Sequence, residues 1–300
     1  GNDYYRGTCY YMKTISKAEC TRPVTYLGFE RANSSADVKI NGKDVCHHDG
    51  GYSTFRVNIT DYIEDENEIC VAVDNAPNDR VYPQMADFTF YGGLYRDVNL
   101  YNVPETRFDL DYLGGPAVAV TPVKTGSDFD VTVDCYVTNP AGTMTIKIVD
   151  KGEVIAETTV DAEAKTTAQF TIKDAHLWHG RKDPYLYTVV AELASGDKRE
   201  VRFGCRTYEI DPDKGFILNG ESYPLRGVSR HQDRPEIGNA LKPEHHKEDL
   251  DIIYELGATT IRLAHYQHNQ VFYDLCDEMG FVLWAEIPYI SQHMPNGREN

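Results

Sequence analysis

The chain has 300 residues, of which 41% are hydrophobic and 26% are charged, which is the composition of a globular protein with two or three domains. Its formal net charge of −17 argues against nucleic acid and anionic lipid as partners, and no apolar run approaches the length of a membrane span. The seven cysteines are odd in number and widely scattered, which predicts reduced thiols in a cytoplasmic protein rather than a disulfide framework.

Residues 1–103 carry strand patterns throughout. The stretch "ADVKINGKDV" places Asn41 and Gly42 between two alternating runs, which predicts a tight hairpin. Short strands separated by Gly, Asn and Asp, with no helical period, predict a β-sandwich. The run Cys46-His47-His48 offers metal-binding groups. Three adjacent donors in a loop without a second cluster are poor ligand geometry, so we favour an ordinary loop there.

Residues 104–210 repeat this pattern on a smaller scale. "FDVTVDCYVTN", "GTMTIKIVD", "AQFTIKD", "YLYTVVAEL" and "KREVRFGCRTYEI" all alternate with a period of two. Five or more such strands in about a hundred residues are typical of an immunoglobulin-like sandwich.

Residues 211–300 follow a different pattern, in which apolar strands alternate with helices. "SYPLRGVS", "TTIRLAH" and "FVLWAEIP" predict strands that are buried on both faces, as in a parallel sheet. "KPEHHKEDLDIIYELGA" predicts a helix with Pro243 in its first turn and Gly257 at its end, and "NQVFYDLCDEMG" predicts a second helix. His245 and His246 fall in the first turn of the first helix, where we expect both to be solvated.

Ionisable residues end all three of these strands. Arg230 and His231 follow the first strand, Arg262 and His265 the second, and Glu286 the third. Either histidine alone is best explained as a capped loop residue, but functional groups of parallel sheets gather beyond the carboxyl ends of the strands. The joint placement therefore favours a site. Because an unpaired guanidinium in an apolar strand is costly, Arg262 needs a carboxylate or ligand, and Glu286 is one candidate.

Trp284 lies two residues before Glu286 on the same face of its strand, so it is either a packing residue or a platform for a sugar ring. Histidines, an arginine and a tryptophan around a cleft suit neutral polyols, whose hydroxyls need paired hydrogen bonds and whose C–H faces stack on apolar rings. The sequence offers no phosphate loop, no Ser-His-Asp arrangement and no zinc quartet.

Four stretches carry a specific resemblance: "SADVKINGKDVCHHDGGYSTFRVNITDYI", "DFTFYGGLYRDVNL", "GVSRHQDRPEIGNAL" and "TIRLAHYQHNQVFYDLCDEMGFVLWAEIP". In these stretches and in domain order the chain resembles glycoside hydrolase family 2, and within it the compact bacterial β-galactosidase type. The resemblance implies a jelly-roll β-sandwich that binds sugar over residues 1–103 and an immunoglobulin-like β-sandwich over 104–210. Residues 211–300 would form the first three βα units of a TIM (β/α)8 barrel.

The resemblance also assigns roles to single residues. Arg262 matches the arginine that positions the nucleophilic carboxylate. Asp87 matches an acidic loop residue of the sandwich that reaches the barrel, although a turn-capping aspartate is the alternative. The substrate-binding positions implied are Asp87, His231, His265, Arg230 and Glu286.

The residues that bind metal ions in the family are not all present in this chain. Large bacterial lactases hold magnesium with Glu and His after the third strand, and the matching positions here are Ile290 and Gln292. Neither side chain is a usual magnesium ligand, so the sequence argues against that site. A sodium site near Asp87 would take its remaining ligands from residues downstream.

The family is retaining, with one glutamate as acid/base and a second as nucleophile. Both are expected downstream of Asn300. The residues from Gly215 to Asn300 are fewer than the roughly 200 that a barrel needs to close. We therefore expect a piece of a larger, homo-oligomeric β-galactosidase that is cut at both ends and is inactive by itself. Alternatives are another family 2 specificity, β-glucuronidase or β-mannosidase, and a non-catalytic carbohydrate-binding protein.

Overall fold

The computed structural model describes residues 5–291, 293–294 and 296–297. Its strands and helices fall into three successive groups along the chain, two of them all-β and the third mixed. Within the described residues, no helix combines the length and the apolar character that a membrane crossing requires.

The first group is a sandwich of two antiparallel sheets. Its strands are β1 (Thr8–Ser16), β2 (Val24–Phe29), β3 (Ser35–Ile40), β4 (Lys43–Asp49), β5 (Phe55–Asn58), β6 (Glu66–Asp74) and β7 (Val98–Val103). One sheet has the order β1-β6-β3-β4 and the other β5-β2-β7. Phe29, Val38 and Val71 belong to the buried core of this sandwich. Asn41 and Gly42 join β3 to β4 with φ of 51° and 77°, which confirms the predicted hairpin.

The second group is a smaller sandwich. Its strands are β8 (Arg107–Phe108), β9 (Val118–Thr125), β10 (Asp128–Thr138), β11 (Thr143–Asp150), β12 (Glu153–Asp161), β13 (Lys165–Ile172), β14 (Tyr187–Leu193) and β15 (Lys198–Phe203). Strand β10 pairs with β8, β9 and β13, and the facing sheet has the order β12-β11-β14-β15. Alternate residues such as Phe129, Val131 and Val133 of β10 are buried between the sheets, as the period of two predicts.

The third group begins with a small antiparallel sheet and continues as a parallel β-α-β-α-β unit. Its elements are β16 (Tyr208–Asp211), β17 (Gly215–Leu218), β18 (Glu221–Ser222), β19 (Gly227–Arg230), α1 (Pro243–Glu255), β20 (Thr260–Leu263), α2 (Gln270–Met279) and β21 (Val282–Ala285). The order β19-β20-β21, with both pairs parallel, confirms the predicted start of a TIM barrel.

The two helices have caps that their sequences specify. In α1, Pro243 occupies the first turn, where its missing N–H costs nothing. In α2, the side chain of Asn269 accepts a hydrogen bond from the backbone N–H of Val271 at 3.1 Å. Gly280 ends α2 with φ of 80°, and a Cβ there would lie 2.2 Å from the carbonyl oxygen of Gly180, so only glycine fits.

The register of the parallel sheet decides which side chains share a face. Ser229, Arg262 and Trp284 lie side by side in one row across the three strands. Arg230 is paired with Leu263 in the next row, and its side chain points to the opposite face, towards the helices. Neighbouring residues of one strand therefore point to different places: one towards the interior and rim of the barrel, where the carboxyl ends of the strands lie, and the next towards the helices.

Both sandwiches pack against the parallel unit. Arg31 of the first sandwich donates from Nη2 to the carbonyl oxygen of His268 at 3.0 Å. In the second, Arg181 donates from Nη1 to the carbonyl oxygen of Ala258 at 2.7 Å, and Trp178 donates to that of Asp277 at 2.9 Å. These contacts fix how the sandwich loops meet the ends of β19, β20 and β21.

Candidate functional site

An ion pair joins the ends of the second and third parallel strands. Nε of Arg262 donates to Oε1 of Glu286 at 2.6 Å, and Nη2 donates to Oε2 at 3.3 Å. The Arg262 side chain stays 43% exposed, so its guanidinium keeps an open side towards solvent. The expectation that Arg262 needs a carboxylate and that Glu286 can supply it is confirmed.

His265 completes this cluster. Its Nδ1 lies 3.1 Å from Oε2 of Glu286 and 3.0 Å from Nη2 of Arg262, which is a donor. A cavity of about 500 Å³ opens beside the three groups, lined further by Ala285, Ile287, Tyr289 and Ile290. A cation, a carboxylate and an imidazole thus face one cavity, together with apolar walls.

His231 lies beside this cluster at the end of β19. Its ring centroid is 5.5 Å from that of His265, and its Nδ1 is 3.0 Å from the hydroxyl of Tyr266. Burial lowers the pKa of His231 below its ordinary value, and the neighbouring His265 lowers it further. The imidazole is therefore neutral at neutral pH and acts as a hydrogen-bonding group rather than a cation.

A loop of the first sandwich reaches this part of the barrel. The ring of Phe88 lies 4.6 Å from His231, 5.8 Å from His265 and 5.8 Å from Tyr266, measured between ring centroids. Asp87, the preceding residue, is exposed. The structure therefore brings the loop that carries Asp87 to the same rim as the two histidines.

Arg230 does not share the rim with these residues. It is 5% exposed and lies on the helix side of β19. Its Nε and Nη2 donate to Oδ2 of Asp249 at 3.0 and 2.6 Å, Nη2 also donates to Nδ1 of His246 at 3.0 Å, and Nη1 donates to Nδ1 of His268 at 3.1 Å. The structure thus corrects its assignment as a substrate-binding residue, because the guanidinium is fully engaged behind the sheet.

The prediction that His246 is solvated is wrong. It is fully buried, packs against Phe272 and accepts from Arg230. Burial, and then the charge of Arg230, lower the pKa of His246 to about 3. The imidazole is therefore neutral, and its role is to hold Arg230 between the sheet and α1.

Trp284 lies two residues before Glu286, in the same row of the sheet as Arg262, and is 63% exposed. It lines a different cavity, of about 470 Å³, whose walls include Phe216, Leu218 and Leu225. The residue therefore belongs to an apolar groove under the rim, and its role as a sugar platform stays a prediction.

The position expected to hold a magnesium ligand is filled by an apolar side chain, because Ile290 lines the cavity beside Glu286. Gln292, the second such position, lies outside the described residues. An alkyl side chain cannot ligate a hard cation, so this structure does not support that magnesium site.

Two aromatic residues at the site were not singled out from the sequence. Phe88 directly follows Asp87, and Tyr266 directly follows His265. Each of these rings directly follows a candidate polar residue, and this sequence pattern could have predicted that they belong to the site. Rings that flank a sugar site exclude water and fix polar groups.

Comparisons with known proteins agree with this architecture. Three family models match successive parts of the chain: "Glycosyl hydrolases family 2, sugar binding domain" over residues 3–104, "Glycosyl hydrolases family 2" over 116–206 and "Glycosyl hydrolases family 2, TIM barrel domain" over 210–299. Together they account for nearly all of the sequence.

Similar proteins carry two kinds of name. A β-glucuronidase of Bacteroides fragilis is 38% identical over 96% of this chain and 44% of its own length. The crystal structure of an FMN-binding β-glucuronidase from Facaelibacterium prausnitzii is 46% identical, with a TM-score of 0.92 over 97% of this chain and 47% of that one. The structure of a putative β-galactosidase from Bacteroides fragilis is 36% identical, with the same TM-score over 99% of this chain and 47% of that one.

The chain therefore spans about half the length of the relatives that it matches. The order of its three domains, the match of all three family models and the cluster at the barrel rim agree with one another. The chain belongs to glycoside hydrolase family 2.

Proposed function

We propose that this chain supplies the sugar-binding part of a retaining exo-β-glycosidase. The observation that carries the proposal is the convergence of Arg262, His265 and Glu286 on one cavity, beside the sandwich loop that bears Asp87. Such a rim, at the carboxyl ends of parallel strands, is where barrels of this type bind their substrates.

The proposed roles follow from the chemistry of these groups. Asp87, His231 and His265 offer acceptors and donors for the hydroxyl groups of a terminal sugar. Arg262 has an open side, so its guanidinium is suited to hold a second carboxylate as well as Glu286. We assign that second carboxylate to the nucleophile.

Glu286 itself is a poor candidate for the acid/base. A general acid must be able to reach the glycosidic oxygen, whereas both carboxylate oxygens of Glu286 are already engaged by Arg262, at 2.6 and 3.3 Å. Retaining glycosidases need two carboxyl groups about 5–5.5 Å apart. We propose that both come from the part of the full-length protein that corresponds to the unmatched half of its relatives, so the 300 residues alone are expected to be inactive.

For the substrate we propose terminal β-D-glucuronosyl groups, because the relatives with 46% and 38% identity are named β-glucuronidases. A β-D-galactosyl group is the second candidate. It is favoured by the stretch "RHQDRPEIGNAL", which resembles the β-galactosidase type, and by the relative of 36% identity. A cytoplasmic location and a homo-oligomeric state remain predictions.

The test is turnover of nitrophenyl β-D-glucuronide, β-D-galactoside and β-D-mannoside by the full-length protein. We expect the glucuronide to have the highest kcat/KM, and the variant Asp87→Asn to lower it. Asp97→Asn, which alters another exposed aspartate of the same sandwich, is the matched control and should have no effect. Absence of turnover on all three glycosides would overturn the proposal, and turnover by residues 1–300 alone would overturn the assignment of both carboxyl groups.

A further inference from the structure

The imidazole of His231 is held on two sides by aromatic residues. Phe88 packs against the ring at a centroid distance of 4.6 Å with the two planes tilted by 42°, and the hydroxyl of Tyr266 lies 3.0 Å from Nδ1. Tyr266 is in turn stacked on Tyr52, with ring centroids 4.1 Å apart and planes 11° from parallel. Tyr266 is 2% exposed and Tyr52 is 1% exposed, so neither ring can swing away without opening the packing.

The direction of the hydrogen bond between Tyr266 and His231 can be worked out from the neighbouring groups. Tyr266 is 2% exposed, so its hydroxyl hydrogen needs an acceptor within the protein. Within the described part of the chain, Nδ1 of His231 is the only side-chain partner found for this hydroxyl. If Nδ1 carried hydrogen instead, the buried hydroxyl hydrogen would be left unpaired, which costs about 1–3 kcal/mol.

We propose that Tyr266 is a positioning residue that fixes His231 as the tautomer with its hydrogen on Nε2. His231 then presents an N–H donor, and not an acceptor, to the sugar. This deepens the function proposed above and rests on it only for the identity of the ligand. The substrate group that His231 contacts must accordingly be a hydroxyl or ring oxygen that accepts a hydrogen bond.

Two further features support this arrangement. Burial raises the pKa of Tyr266, so the hydroxyl keeps its hydrogen at all physiological pH values. The pKa of His231 is lowered, so the ring is neutral and its tautomer matters. Of the other charged or titratable groups near His231, Asp87 and Asp233 raise its pKa, whereas Arg262 and His265 lower it.

The chain offers a matched pair of variants for the test. Tyr266→Phe removes only the hydroxyl that contacts His231 and leaves the stack in place. Tyr52→Phe removes the other hydroxyl of the same stack, which is buried and has no hydrogen-bond partner among the described residues. Both variants keep the ring shapes, so a difference between them reports on the hydrogen bond and not on packing.

The readout is the ¹⁵N NMR shift of the two ring nitrogens in histidine-labelled chain without substrate, with His231 assigned from its loss in His231→Gln. In the wild-type chain and in Tyr52→Phe we expect an unprotonated Nδ1 and a protonated Nε2. In Tyr266→Phe both shifts should move towards intermediate values as the tautomers mix. A protonated Nδ1 in the wild-type chain, or unchanged shifts in Tyr266→Phe, would overturn the inference. Because no substrate is present, failure of the proposed function leaves this result intact.

Discussion

Arg262 and Glu286 form a two-point ion pair across neighbouring parallel strands, with Nε 2.6 Å from Oε1 and Nη2 3.3 Å from Oε2. The pair ties the end of β20 to the segment after β21. It also fixes the plane of the guanidinium at the mouth of the cavity. Lysine has a single charged nitrogen and cannot reproduce both contacts.

We therefore predict that Arg262→Lys lowers kcat/KM of the full-length protein by about 100-fold, because the nucleophilic carboxylate that Arg262 is proposed to hold would be displaced from its reactive position. The control is Arg234→Lys, because Arg234 also binds two carboxylates, Glu248 and Asp249, but does so away from the cavity. Initial rates on the preferred nitrophenyl glycoside measure the effect. Equal rates for Arg262→Lys and the wild-type protein would show that Arg262 has no part in the reaction.

Arg230 is the buried counterpart of Arg262 on the other face of the sheet. Replacing it with Met takes one of two arginine partners from the half-buried Asp249, which keeps Arg234, and leaves the buried His246 and His268 without the donor that each has in Arg230. We predict that Arg230→Met lowers the free energy of unfolding by about 3–5 kcal/mol, as measured by urea unfolding.

A suitable control for Arg230→Met is Lys247→Ala, which removes an exposed ion pair between Lys247 and Asp251, both on α1. That change should cost about 0.3–0.5 kcal/mol. A loss for Arg230→Met that is no larger than that of the control would mean that the buried network does not stabilise the fold.

The pairing of Arg262 with Glu286 could be predicted from the sequence, because a guanidinium in an apolar strand requires a nearby carboxylate. The position of Arg230 behind the sheet was missed because Arg230 and His231 were assigned together to the end of the strand. Successive strand residues point to opposite faces, so Ser229 and Arg230 cannot both face the barrel. His246 has a comparable signal, since it lies four residues before Leu250 and so shares the buried face of α1.

Contacts between domains could not be predicted from the sequence. Phe88 contacts His231 only because the first sandwich packs against the parallel unit, which brings the sandwich loop to the end of β19. No periodicity in either segment encodes that distance. The resemblance identified Asp87 as a residue that reaches the barrel, but the ring that covers the histidines came only from the structure.

The contact of Phe88 with His231 leads to a third prediction. Burial is the main cause of the lowered pKa of His231, so Phe88→Ala should raise that pKa towards 6.5 by admitting water to the ring. A ¹H NMR titration of the imidazole measures the change. Tyr10→Ala removes an aromatic ring that is 70% exposed on β1 and should leave the titration unchanged. An unaltered pKa in Phe88→Ala would show that this ring does not shield His231.

The buried His246 makes the stability of the fold depend on pH in a definite direction. Its pKa is about 3 in the folded chain and near 6.5 when unfolded, so the unfolded state binds more protons between these values. The stabilisation that depends on neutral His246 is complete above pH 6.5 and is lost as the pH falls towards 3. One such group changes the free energy of unfolding by about 1.4 kcal/mol per pH unit well inside this window.

His246→Gln keeps a neutral acceptor for Arg230 but cannot titrate. We predict that the free energy of unfolding of this variant, measured in urea between pH 6.5 and 4, falls less steeply with falling pH than that of the wild-type chain. The difference in slope should correspond to at most one bound proton. Asp249, whose pKa is lowered by hydrogen bonds from Arg234 and Arg230, also loses stabilisation in acid, but it does so in both proteins and cancels in the comparison. His245→Gln, in the same helical turn but without contact to Arg230, is the matched control. Identical slopes for His246→Gln and the wild-type chain would show that His246 accepts a proton without cost, and hence that it does not need to stay neutral to hold Arg230.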